Sequence, residues 1–198
     1  QRRWTAHRNL LLDDQQRSFV ALLPNKPGHG LAACAAGEEG VVGMRFKGEG
    51  PSGEPVEAHP PLLLRVAGQS RWGPFAYQPV LARQGRRITR EHQLPLALMG
   101  HLLEAYQAGP VPELLVLGGG GRRLERERIR LTSGLRKQLS EALRKLNADL
   151  ERPQPPALAA DRRKCTLCSW RESCSRVASA DGHLSEVSGI GAKRREML

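Results

Sequence analysis

The sequence predicts an α/β domain built around a mixed sheet, and three observations point to it. Short apolar runs of strand length recur along the chain, at Leu62–Val66 and Glu113–Leu117 among others. Two long segments carry leucines at helical spacing instead. Stretches rich in Gly and Pro separate these runs, and two strand candidates lie close enough to form a hairpin.

In chain order, Asp13–Leu23 reads as an amphipathic helix stopped by Pro24 and the Asn25–Gly30 turn. Ala32–Ala36 is small and apolar, and Val41–Phe46, β-branched at its start, reads as a strand. Gly48–Pro55 reads as a surface loop. Leu62–Val66 and Ala76–Ala82 form the hairpin, with Gly68–Pro74 as its turn. Thr89 is the N-cap candidate of a helix to Gln107, with Leu94, Leu98, Leu102 and Ala105 on one face and Pro95 tolerated near its start. Glu113–Leu117 is a buried strand, Gly118–Gly121 a turn and Leu124–Leu131 an edge strand. Thr132 or Ser133 caps a last helix to about Glu151, striped by Leu135, Leu139, Leu143, Leu146 and Leu150, and Pro153–Pro156 opens a linker.

The 198 residues suit one domain with a small appendage. Hydrophobic residues make up 39% and aromatics 4%, which suits a modest core and disfavours a stacking platform for single strands. No apolar run approaches the roughly 18 residues that span a bilayer, and no signal peptide is visible. The expectation is a cytoplasmic protein with no membrane partner. Because the chain opens on Gln1 rather than Met, a longer N-terminus is expected too.

Basic residues outnumber acidic ones 31 to 20, and 25 of the 31 are Arg. Guanidinium groups present a planar fork that suits phosphate oxygens, so a polyanion, DNA first, is the expected partner. Arg122, Arg123, Arg126, Arg128 and Arg130 are the densest run. On charge alone, a solvated Arg-rich surface is the alternative.

Cys165, Cys168 and Cys174 form a C-x2-C-x5-C cluster in a basic segment, Arg162–Cys174. A C-x2-C pair lets two thiolates reach one metal centre, the third can return to it, and neighbouring cations favour the ligating thiolate. Three ligands leave a tetrahedral site one short. Cys34, or a cysteine ahead of Gln1, would complete it, although the Ala-rich surroundings of Cys34 equally suit a small buried hydrophobe. Spacing alone does not choose between Zn²⁺ and an iron–sulfur cluster.

With this cysteine signature closing an α/β domain, the chain resembles the RecB-like putative nucleases of the PD-(D/E)XK superfamily, of the cyanobacterial type and related to the iron–sulfur CRISPR-associated exonucleases. The similarity is carried by Leu62–Arg65, Gly68–Gly73, Tyr77–Val80, Arg90–Leu94 and His183–Arg194. It implies a restriction-endonuclease-like core, a mixed sheet flanked by helices, with a small Cys-rich C-terminal segment and a [4Fe–4S] cluster. It also implies a cysteine before an Arg-rich aromatic stretch such as Arg2-Arg3-Trp4, the reason for placing a ligand ahead of Gln1. The family pattern requires an Asp opening the first hairpin strand and an acidic-x-Lys triplet on the second. There two carboxylates hold Mg²⁺ or Mn²⁺, and the metal activates water. Here those positions read Pro61 and Leu81-Ala82-Arg83. Only Arg83 keeps a cation, and neither Pro nor Leu can ligate a metal. Gln93 matches the family's Gln, while the tyrosine expected after it is aliphatic. Glu54, Glu57 and His59 are the nearby residues that would have to substitute.

Val187–Arg194 resembles the turn of a helix-hairpin-helix motif. Gly189 and Gly191 permit a tight turn, and Lys193, Arg194 and Arg195 stand where a helix start would bind phosphate. The alternative is a Gly-bearing turn in a basic tail. The expected division is a nuclease-type core over 1–152, a Cys-rich segment over 153–180 and the start of a DNA-contact motif over 181–198, with a further domain or partner protein beyond Leu198. The expected function is DNA binding with degenerate carboxylates. The alternatives are an active metal-dependent nuclease and a non-catalytic scaffold subunit.

Overall fold

A computed structural model describes residues 26–84, 88–119, 125–153, 158 and 171–183. The helix expected over Asp13–Leu23 lies outside them. The chain divides into two compact units, residues 1–148 and 149–198.

The first unit is a mixed α/β structure. Strand β1 (Gly28–His29) leads into helix α1 (Gly30–Ala35), β2 (Gly40–Val42), β3 (Phe46–Glu49) and β4 (Pro55–Ala58). The long pair β5 (Leu62–Ser70) and β6 (Gly73–Gln84) follows, then α2 (Arg90–Gln107), β7 (Leu114–Gly119), β8 (Glu125–Ile129) and α3 (Ser133–Leu150). Six strands form one sheet in the order β1-β2-β5-β6-β7-β8, and β3 pairs with β4 in a separate two-stranded sheet. Pairs β1–β2 and β6–β7 are parallel, while β2–β5, β5–β6 and β7–β8 are antiparallel. Helix α2 is the crossover that a parallel β6–β7 pair requires.

The hairpin β5–β6 is longer than its apolar pattern suggests. Ser70 pairs with Gly73, so the turn shrinks to Arg71 and Trp72. Gly73 adopts φ 142°, which only glycine enters without strain. Polar and small residues such as Gln69 and Gly68 hide this extension from a hydrophobicity pattern, because backbone pairing needs no apolar side chain. The single strand expected over Val41–Phe46 is two strands in different sheets. Gly43, at φ 71°, turns the chain between them. The loop expected over Gly48–Pro55 is correspondingly shorter, since Glu49 pairs with Pro55 across the β3–β4 hairpin.

Helix α2 begins where Thr89 was expected to cap it. His92 Nδ1 lies 3.2 Å from the Thr89 backbone N–H, which donates to it, and 2.8 Å from the Thr89 hydroxyl. Its buried apolar side chains are Leu96, Ala97, Leu102 and Leu103, with Leu94 and Leu98 half-buried. Ala105, expected on the apolar face, is exposed. The stripe is centred one position away because β6 and the β3–β4 sheet both pack on this helix. Helix α3 is capped by Thr132, whose hydroxyl accepts the Leu135 N–H at 3.2 Å. Leu135 and Leu139 are buried, but Leu146 and Leu150 are exposed, so its apolar stripe serves the core over the first half only.

Both faces of the large sheet are apolar, as β-strands buried on two sides require. One face, with Val41, Leu63, Tyr77, Leu114 and Val116, joins α1, α2 and α3 in the main core. The other carries a smaller cluster of Val42, Leu62, Val80, Leu115 and Leu117. In the second unit, α4 (Arg171–Ala180) ends at Gly182 with φ 60°, and the His183 N–H donates back to the Ala178 carbonyl at 2.8 Å. Among the described residues no helix is long and apolar enough to cross a membrane.

Candidate functional site

The two positions that the resemblance assigns to acids lie at one end of the β5–β6 hairpin. Leu62 pairs with Val80, Pro61 stands just ahead of β5 and Leu81 is the next residue of β6. Leu81 is half-buried against the main core, Ala82 turns to the smaller cluster and Pro61 is half-buried beside buried Pro60. The backbone of Arg83 continues β6 and pairs with Gly118. Gln93 is half-buried in the first turn of α2, and Ala97, one turn on, is fully buried. None of these positions carries a carboxylate.

The acids named as substitutes have other partners. Glu57 on β4 takes both Nε and Nη2 of Arg45, the latter at 2.9 Å, and lies 2.5 Å from His59 Nε2. The Arg45 guanidinium beside it, helped by His59, holds the Glu57 carboxyl down to about 2. Glu54 turns into its own hairpin loop, where Oε2 accepts the Ser52 N–H at 3.1 Å and Oε1 is buried with no hydrogen-bond partner among the described residues. This small sheet is tied to the later part of α2. Tyr106 OH donates to the Lys47 carbonyl at 3.3 Å and accepts its N–H at 3.1 Å, and His101 Nε2 lies 3.2 Å from the Glu49 carbonyl oxygen.

The outer strand of the sheet, β8, carries a basic face. Arg126 and Arg128 project from the same side, because alternate strand residues share a face, and Arg130 follows in step just past the strand. All three are exposed. Arg128 approaches Glu113 at 3.4 Å, a surface pairing that leaves most of its guanidinium open to solvent.

Cys34 is fully buried in α1, and burial pushes its thiol up to about 11. This is the chemistry of a small core hydrophobe rather than of a ligating thiolate. Cys174 is half-buried, one turn into α4. Cys165 and Cys168 lie outside the described residues, as do Arg122, Arg123, Gly189, Gly191, Lys193, Arg194 and Arg195. Among the described residues no group of three or more His, Cys, Asp or Glu side chains could hold a metal.

The residues that organise this region and escaped the sequence reading are Gln107 and Tyr77. Gln107, the last residue of α2, is fully buried. Its Oε1 accepts the Tyr77 N–H at 3.0 Å, and its Nε2 donates to the carbonyls of Gly109 at 3.2 Å and Pro110 at 2.8 Å. Strand β7 pairs with β6 only from Val80 onward, so Gln107 supplies the acceptor that a longer β7 would have offered. Pro79 sits just ahead of that pairing, where a missing N–H costs least. The Tyr77 ring is buried and its hydroxyl donates to the Glu38 carbonyl at 2.8 Å. Burial, reinforced by Cys34, pushes it up to about 12. A glutamine closing an amphipathic helix reads as surface, and no local signal distinguishes it.

Compared with models of protein families and with curated proteins, the chain matches neither.

Proposed function

We propose that this chain is a DNA-binding relative of the RecB-like nucleases whose catalytic carboxylates have been replaced. The observation that carries the reading is the pairing of β5 with β6, an antiparallel hairpin with Pro61 and Leu81 next to its terminal Leu62–Val80 pair, followed by a crossover helix and a parallel strand. That is the arrangement a restriction-endonuclease-like core would need, with apolar residues where its metal ligands would stand. The commitment of Glu57 to Arg45 argues against a relocated acidic centre. DNA would then be held through its backbone by Arg126, Arg128 and Arg130, with a phosphate anchored at Gly189–Arg195. Such contacts carry no sequence information. In this reading Cys165, Cys168 and Cys174 hold an iron–sulfur cluster, or Zn²⁺, that staples the C-terminal segment. Three thiols in a basic stretch have the donor chemistry for either.

The test is duplex binding across a salt series, with Mg²⁺ or Mn²⁺ added in parallel to look for cleavage. Binding without cleavage is expected. Replacing Arg126, Arg128 and Arg130 with Ser should flatten the log–log salt slope by about 2.7, from three phosphates at roughly 0.9 each. Metal-dependent cleavage, or no binding even at low salt, would overturn the proposal. Iron analysis and the visible absorption of anaerobically purified protein decide between cluster and zinc.

A further inference from the structure

We infer that β8 holds one nucleic-acid strand by its backbone, so that single-stranded DNA is a full ligand of this face. The inference rests on the DNA-binding reading above and deepens it by naming the form of DNA that the face takes. Arg126 and Arg128 lie two residues apart on β8, about 6.7 Å along the strand, and Arg130 follows in step. Three exposed guanidinium groups thus stand in line at intervals comparable to those of successive phosphates, the arrangement that tracks a backbone. Glu127 and Ile129 alternate to the other face, where Ile129 packs against the main core. Glu113 reaches the line at Arg128, 3.4 Å away, in a surface pairing that a phosphate can displace.

The rest of the face decides between one backbone and two. Arg128 pairs with Leu115, Leu115 with Val80 and Val80 with Leu62, while Arg126 pairs with Leu117 and Leu117 with Ala82. Moving inward from β8, the surface is therefore aliphatic on three successive strands, at about 5, 10 and 14 Å. The second backbone of a duplex lies across a groove about 6 or 12 Å wide. Set over the sheet, it would fall on Leu115, Leu117, Val80 and Leu62, which are buried and have no charge to offer. Turned outward, it leaves the described sheet, which ends at β8. In either orientation β8 engages one strand. Aromatic residues make up only 4% of the chain, which fits a hold on the phosphates with the bases left unstacked.

The experiment uses the full chain and measures affinity across a salt series for a duplex and for single-stranded DNA of the same length. Both are repeated with Arg126→Ser, Arg128→Ser and Arg130→Ser combined. The substitution should flatten the log–log slope by about 2.7 on the duplex and about 2.1 on the single strand, from three phosphates at roughly 0.9 and 0.7 each. Unlabelled single-stranded DNA should also displace labelled duplex completely from the unsubstituted chain, a readout that needs no variant. A single-strand slope that changes by about 1.4 or less, the value of two phosphates, overturns the inference while the duplex result leaves DNA binding standing. Failure to displace the duplex does the same. A duplex slope unmoved by the substitution, or no binding to either form, overturns both the inference and the reading beneath it.

Discussion

Replacing Gln107 with Met tests whether one buried amide completes the sheet. Met has nearly the same length and volume, so repacking should cost less than about 1.5 kcal/mol. What is lost is three hydrogen bonds, from Tyr77 N–H at 3.0 Å and to the carbonyls of Gly109 at 3.2 Å and Pro110 at 2.8 Å. The Tyr77 N–H is the costly one. It belongs to a fully buried residue at a point where β7 has not yet begun to pair, so its loss leaves an unsatisfied donor worth about 1–3 kcal/mol. The two carbonyls lie beside exposed Ala108 and keep a lone pair for water, adding about 0.5 kcal/mol each. The sum is about 2–4 kcal/mol, a large share of the roughly 5–15 kcal/mol that holds a domain together. In urea unfolding, a loss of about 3 kcal/mol at a slope near 2 kcal/mol/M lowers the midpoint by about 1.5 M with the slope unchanged. The Tyr77 amide should lose hydrogen-exchange protection at the same time. A midpoint within error of wild type, or undiminished protection at Tyr77, would refute the reasoning.

Other perturbations have equally definite outcomes. Gly100→Ala sets helix propensity against packing. The gain of about 1 kcal/mol in α2 is offset, because the new methyl would lie 2.5 Å from Leu114 Cδ2 in the core, and a net loss of up to about 2 kcal/mol in thermal unfolding is expected. At alkaline pH, Cys34 and Tyr77 are acids raised by burial, from 9.0 to about 11 and from 10.0 to about 12. Their contribution is fully present below about pH 9 and is lost as pH rises through about 11 to 12. Cys34→Val should soften that alkaline loss in pH-dependent urea titrations, and an unaltered profile would count against a buried thiol. Glu57 has the opposite sign, being lowered from 4.5 to about 2, so its contribution is present above about pH 4.5 and disappears as pH falls toward 2. Glu57→Gln should flatten the acid limb, and Arg45→Met should do the same if their pairing is the cause.

Much of the secondary structure was legible because local chemistry writes it. Thr89 announces α2, Thr132 announces α3, and the β5–β6 hairpin follows from two apolar runs joined by turn residues. Val41–Phe46 misled because an apolar run reports burial and not pairing partner, and one glycine at positive φ divides it between two sheets. The candidate site was half legible. That Pro61 and Leu81 carry no carboxylate is a matter of residue identity, whereas their place beside the Leu62–Val80 pair is a matter of register. The commitment of Glu57 to Arg45 spans twelve residues and two strands, and sequence spacing alone does not reveal it.

By itself, then, the sequence determined the β5–β6 hairpin, the helices α2 and α3 and the strand β7 between them, the basic character of β8 and the clustering of three cysteines. Periodicity, caps and composition are properties of neighbouring residues. Only the tertiary structure decided that β6 pairs in parallel with β7, that Cys34 is a buried thiol, and that Gln107 serves Tyr77 across a separation of 30 residues. Those outcomes depend on which buried polar groups find partners once the chain has closed on itself, and no local pattern encodes that accounting.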